Sequence, residues 1–198
     1  MLRLLRFRAT RWHFPYCSLI RAFQALPTMQ SERDEILYRK AMTYANGYRE
    51  LGMFDDALAE LDGMKPCEHS RKETLQMRLA VLMEATRWEE ALPIANRLAS
   101  IESSDPGHLV NLAFVTRRAN SLSGARSILE TAVKRFPKEA IIHYNLGCYA
   151  CCNEEMDTAK LHLLRAFELD ESYLKMSLED EDLVSLRDWL IDQSNRSC

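Results

Sequence analysis

Four short segments, FDDALAEL, WEEALPIA, LSGARSIL and MDTAKLHL, superimpose on one alanine each: Ala57, Ala91, Ala125 and Ala159. The interval is 34 residues every time, with no gap. A fixed period of this size marks a chain built from stacked copies of one small unit. Other columns keep the register. Phe54, Trp88, Leu122 and Met156 stand three residues before the alanines, and Leu61, Ala95, Leu129 and Leu163 stand four after them. Met64, Leu98, Ala132 and Ala166 stand seven after. Offsets of −3, 0, +4 and +7 trace one face of a helix with 3.6 residues per turn. Upstream, Tyr44-Ala45, Leu112-Ala113 and Leu146-Gly147 recur in phase on what must be a first helix. Each unit is therefore a pair of helices meeting through small residues. No single pair can bury its apolar stripe alone, but a stack can.

This pattern resembles the tetratricopeptide repeat family, whose units carry a large apolar residue followed by a small one early in the first helix. They also carry alanines in the second helix and a proline near the end. Residues 140–173 match with Leu146, Gly147, Ala159 and Ala166; residues 106–139 match with Leu112, Ala113, Ala125, Ala132 and Pro137. Residues 38–71 carry Tyr44, Ala45, Tyr48, Gly52 and Ala57. Residues 72–105 depart most: Arg78 replaces the large apolar residue, and Pro93 falls inside the second helix, where it removes a backbone hydrogen bond and should kink it. The resemblance implies an all-α, right-handed helical-hairpin solenoid of four units. Residues 174–192 are expected to form a capping helix with Leu183, Leu186, Trp189 and Leu190 on its apolar face and the acidic run Glu179 to Asp182 at its start. The repeat domain is expected over residues 29–193.

Residues 1–28 stand apart, with five arginines and no acid. They fit a targeting segment, a basic amphipathic arm, or an upstream extension of a chain whose translation begins at Met29. The remainder holds 21 basic against 29 acidic residues, a net of −8. An acidic body of this kind is a poor general ligand for nucleic acid, whose affinity comes mainly from neutralised phosphates. No run of eighteen apolar residues occurs, so no transmembrane helix is expected. The six cysteines, Cys17, Cys67, Cys148, Cys151, Cys152 and Cys198, are scattered, which favours reduced thiols in a cytoplasmic setting. A mitochondrial or other organellar location is the alternative if residues 1–28 target the chain.

The stretch HYNLGCYACC raises the question of a metal or redox centre. Cys148 and Cys151 lie one helical turn apart, but a structural zinc site needs four ligands and no second pair is near in sequence. Small thiols are expected to pack as hydrophobes inside the helix. No phosphate loop, nucleophile elbow or His-Glu metal pair appears. No catalytic residue, cofactor or metal is expected, and the chain reads as a non-enzyme.

In tetratricopeptide arrays the first helices line a concave groove through positions 2, 5, 6, 9, 12 and 13 of each unit. The resemblance places Asn46, Arg49, Met83, Asn111, Phe114, Arg117, Arg118, Tyr144, Asn145 and Cys148 there. Methionines suit an adaptable surface, and Asn111 and Asn145 could bond a peptide backbone. One subset of the family clamps the C-terminal carboxylate of heat-shock chaperones; Asn46 stands at a clamp position, but Met42, Met77 and Ile141 replace the residues the clamp needs. The expected function is a scaffold that binds a protein or peptide segment in the groove. The alternative is a dedicated chaperone similar to those of type III secretion translocators.

Overall fold

A computed structural model describes residues 29–65, 67–69, 71–102, 104–119 and 121–196. The basic segment 1–28 lies outside the described residues. The chain divides into two units, residues 1–39 and 40–198. Within the described part of the first, Gln30 donates to Asp34 at 3.0 Å and Arg39 pairs with Glu35 at 3.2 Å, both one helical turn apart.

The helices run in pairs. α1 (Met29–Glu50) crosses from the first unit into the second and is followed by α2 (Phe54–Asp62). Next come α3 (Lys72–Glu84) with α4 (Trp88–Ile101), α5 (Pro106–Ala119) with α6 (Leu122–Arg135), and α7 (Ala140–Cys152) with α8 (Met156–Leu169). The second helices begin at residues 54, 88, 122 and 156, and α3, α5 and α7 begin at 72, 106 and 140, so the starts keep the 34-residue period of the alanines. The fold is an all-α helical-repeat solenoid. No described helix is long and apolar enough to cross a membrane.

The aligned columns are the core. Ala57, Ala91, Ala125 and Ala159 are fully buried, as are Leu61, Ala95, Leu129 and Leu163. The first-helix column is less uniform. Leu112 and Leu146 are buried, and Leu112 packs with the cluster around Leu98 in the preceding pair. Arg78 occupies the same position in α3 and reaches back to Asp62 of α2 at 2.7 Å, so the polar exception keeps the same neighbour by an ion pair. Tyr44 differs: it is 47% exposed, with the Lys40 ammonium 5.3 Å from its ring centre. The position faces the preceding helix pair in later units, and no such pair precedes α1 among the described residues. Pro93 sits exposed within α4, and the helix spans 14 residues, as α6 and α8 do.

The turn inside each pair repeats as faithfully as the helices. The backbone N–H of Met53, Arg87, Ser121 and Glu155 donates to the carbonyl of Tyr48, Leu82, Thr116 and Ala150, at 2.9–3.1 Å. This is the bond that closes a helix C-terminus through a left-handed residue. That residue is Gly52 (φ 72°), Thr86 (φ 56°) and Glu154 (φ 62°); position 120 lies outside the described residues. A β-branched residue is costly there, by about 1–2 kcal/mol, and glycine removes the strain at about 0.5–1 kcal/mol of unfolded-chain entropy. Thr86→Gly is therefore expected to raise stability by roughly 0.5–1 kcal/mol. A denaturant midpoint equal to or below wild type would refute it.

The expected C-terminal helix is divided. The chain forms α9 (Ser172–Ser177), a 3-10 turn (Glu181–Leu186) and α10 (Arg187–Arg196). Leu183, Leu186 and Leu190 are buried in the cluster of α5 to α8, with Trp189 packed at its edge. The break falls at the acidic run because Asp180 turns inward. Its Oδ1 accepts the Asp182 backbone N–H at 2.9 Å, and its Oδ2 accepts the Tyr144 hydroxyl at 2.7 Å.

Candidate functional site

The groove positions divide into a covered end and an open one. At α7, Tyr144 and Cys148 are buried. The Tyr144 ring lies 4.9 Å from that of Tyr173, and its hydroxyl donates to Asp180. The Cys148 thiol also points to Asp180, at 3.6 Å. On α5, Arg117 forks onto both oxygens of Asp182, with Nη2–Oδ1 at 2.5 Å. Asn145 turns back to donate to its own helix, at the Ile141 carbonyl, 2.8 Å away. These residues were expected to face a partner. The structure gives Tyr144, Cys148 and Arg117 to the chain's own acidic segment instead, because carboxylates beside a guanidinium and a phenol satisfy polar groups that burial would otherwise orphan.

Electrostatics follow from that covering. Burial first, then the Asp180 carboxylate, pushes the Tyr144 phenol up. Burial, reinforced by Asp180 and Asp182, does the same to the Cys148 thiol, and burial also raises Cys151 and Cys152. The reactive form of cysteine is the thiolate, and the raised values favour the neutral thiol in all three. Hydrogen bonding from Arg117, against an opposing cost of burial, holds the Asp182 carboxyl below its usual value. Within the cysteine-rich stretch Cys148 and Cys151 are buried and Cys152 is exposed, and these three, like Cys67, are free thiols.

The open end lies along α1, α3 and α5. Asn46 accepts from Arg49 at 3.0 Å and donates to Glu50 at 2.8 Å; Arg49 then reaches Glu84 of α3 at 2.5 Å. Between α3 and α5 is a cavity of about 390 Å³ lined by Gln76, Ala80, Met83, Glu84 and Asn111 over Leu79, Leu98 and His108. The first five are all groove positions of their units. Phe114 packs edge-on against Trp88 with ring centres 5.8 Å apart, and the exposed Arg118 lies 5.4 Å from the Phe114 ring. Arg118 also borders a second hollow, of about 280 Å³, with Trp88 and Glu89. On the second-helix side, a cavity of about 400 Å³ is walled by ion pairs, Arg78 with Asp62 and Arg87 with Asp55 and Glu90. Its charges already have partners.

One cluster escaped the sequence reading. Glu102, Asp105 and His108 meet where α4 gives way to α5, with one ligand atom from each within 4.8 Å of the others. Their three-residue spacing was the only signal, and it straddles a unit boundary that repeat alignment treats as a loop.

No protein-family model matches the chain. No curated protein matches it either. Solved structures do. MamA residues 41 to the end from Desulfovibrio magneticus RS-1 aligns with a TM-score of 0.60 at 22% identity, covering 72% of this chain and 80% of that one. Another MamA crystal structure aligns at 0.62 and 17% identity, over 80% of this chain and 88% of that one. YrrB, described as a TPR protein with an unusual peptide-binding site, aligns at 0.56 and 19% identity, over 71% and 72%.

Proposed function

We propose, on the premise that this chain has the tetratricopeptide-repeat fold, that it is a non-enzymatic scaffold which holds an extended segment of a partner protein along α1, α3 and α5. The observation that carries the reading is the cavity between α3 and α5, whose walls are five groove positions from two successive units. Its volume falls within the range of small-ligand pockets, about 300–1,000 Å³, which is room enough for a side chain of the partner. Met83 supplies a deformable wall. Asn111 is half-buried and makes no side-chain hydrogen bond with a described residue, so its amide can serve a peptide backbone. Phe114 and Arg118 extend the surface with residue types that dominate binding energy. A non-catalytic role accords with thiols held neutral and with acids Asp55 and Glu90 committed to Arg87. Free thiols accord with a reducing, cytoplasmic-type compartment.

Site-specific photo-crosslinking in cells tests the reading. A photoreactive residue at Gln76, on the cavity wall, should trap a protein partner that mass spectrometry identifies. The same residue at Glu130, exposed on the second helix α6, should not. Gln76→Ala, at an exposed position of the cavity wall, and Asn111→Ala should each weaken the captured partner by about tenfold, near 1.4 kcal/mol, with the melting temperature unchanged. Capture from Glu130 with none from Gln76 would move the binding surface to the second helices and end the proposal.

A further inference from the structure

We propose that Glu102, Asp105 and His108 form a binding site for a divalent transition metal of the zinc class, at the junction of α4 and α5. His108 carries the argument. Its side chain is only 4% exposed, and its Nε2 has no hydrogen-bond partner among the described residues. A buried imidazole nitrogen left without a partner is unusual and calls for an explanation. That nitrogen points between two carboxylates, 3.6 Å from Glu102 Oε2 and 3.6 Å from Asp105 Oδ2. The separation is too long for a hydrogen bond. Two ligands each about 2.0–2.1 Å from a tetrahedral zinc lie roughly 3.3–3.5 Å apart, so both His108 distances are within a few tenths of an ångström of those of ligands sharing one ion.

The donor set selects the metal. Calcium and magnesium take oxygen ligands throughout, whereas an imidazole nitrogen suits zinc, cobalt or nickel. One nitrogen and two carboxylate oxygens leave the remaining position to solvent. Glu102 and Asp105 are partly exposed, at 35% and 41%, which gives the ion its entry path. Lys72, at the start of α3, pairs with Glu102 and is the cation a metal must displace from Oε2. Because Glu102 ends α4 and His108 belongs to α5, an ion here would clip the second unit to the third. It would also fix His108 beneath the α3–α5 cavity.

The full chain, stripped of metal and kept reduced, is to be titrated with cobalt(II), whose visible bands report its ligands. The expected result is one equivalent bound, without the near-ultraviolet band of a cobalt–thiolate bond, and a melting temperature raised by the ion. Calcium should produce neither effect. His108→Gln and Asp105→Asn should each weaken cobalt binding at least about tenfold. Asp105 Oδ1 accepts the Gly107 backbone N–H at 2.8 Å at the start of α5, and Asn keeps that cap, so Asp105→Asn leaves the metal-free melting temperature in place and separates loss of a ligand from loss of fold. Absence of binding, wild-type affinity in either variant, or a thiolate band growing with the first equivalent would each overturn the site.

Discussion

Gly147→Leu should dismantle the close contact between α7 and α8 and cost about 3 kcal/mol or more, the upper end of the overpacking range. A Cβ on Gly147 would lie 2.8 and 2.9 Å from Cγ and Cδ2 of Leu163, and 3.3 Å from the Ala159 carbonyl oxygen. Leu163 cannot retreat, because it is fully buried among Leu129, Ala166 and Leu183. Gly147→Ala is the graded control. It gains about 1 kcal/mol of helix propensity and meets the same collision with one methyl group. Its net effect should be a smaller loss. Chemical denaturation of the three proteins decides the matter: an alanine variant more stable than wild type would mean that α7 and α8 are not in close contact at this position.

The second large effect belongs to Arg117 and Asp182, which join α5 to the C-terminal segment across 65 residues of sequence. Their side chains are 20% and 28% exposed. A forked, charge-assisted pair of this kind contributes about 1.5–3 kcal/mol when one partner is removed. Arg117→Ala and Asp182→Ala should each lose that amount. The double variant should lose less than the sum, by about 1 kcal/mol, since either change already breaks the contact. The pH dependence has a defined sign. The folded Asp182 carboxyl lies below its unfolded value of 3.8, so its contribution is complete above that value and is lost as pH falls through the folded one. Wild type should thus lose more stability than Asp182→Ala on acidification below 3.8. Strict additivity, or parallel acid curves, would show that the two groups do not interact.

Register was legible in the sequence because four alanines at a constant interval leave one way to phase the helices, and their burial at 0% follows from that phase. The left-handed turn residues were hidden. Glycine at position 52 signals such a turn, but Thr86 and Glu154 carry no propensity for it, and only the backbone bond from Arg87 to Leu82 shows why they accept it. The candidate groove was half legible. Positions of Met83, Asn111 and Phe114 come straight from the period. What covers Tyr144 and Cys148 does not, because Asp180 lies 36 and 32 residues downstream of them, beyond the last repeat, where no register applies. A run of four acids reads as a solvated helix start until one of them is found under a tyrosine hydroxyl. The Glu102–Asp105–His108 cluster escaped for a related reason: repeats are compared within units, and these three side chains converge between two of them.

The acidic segment folded over α7 also governs how an array of this type can be lengthened. An additional helix pair appended after residue 173 would arrive at a surface already filled by Leu183, Leu186 and Leu190. New pairs have to be spliced in upstream of α7, where helix starts recur every 34 residues and an inserted copy leaves every later one in phase. A design that lengthens the array would therefore insert copies in the interior and keep residues 178–190 packed on the last pair.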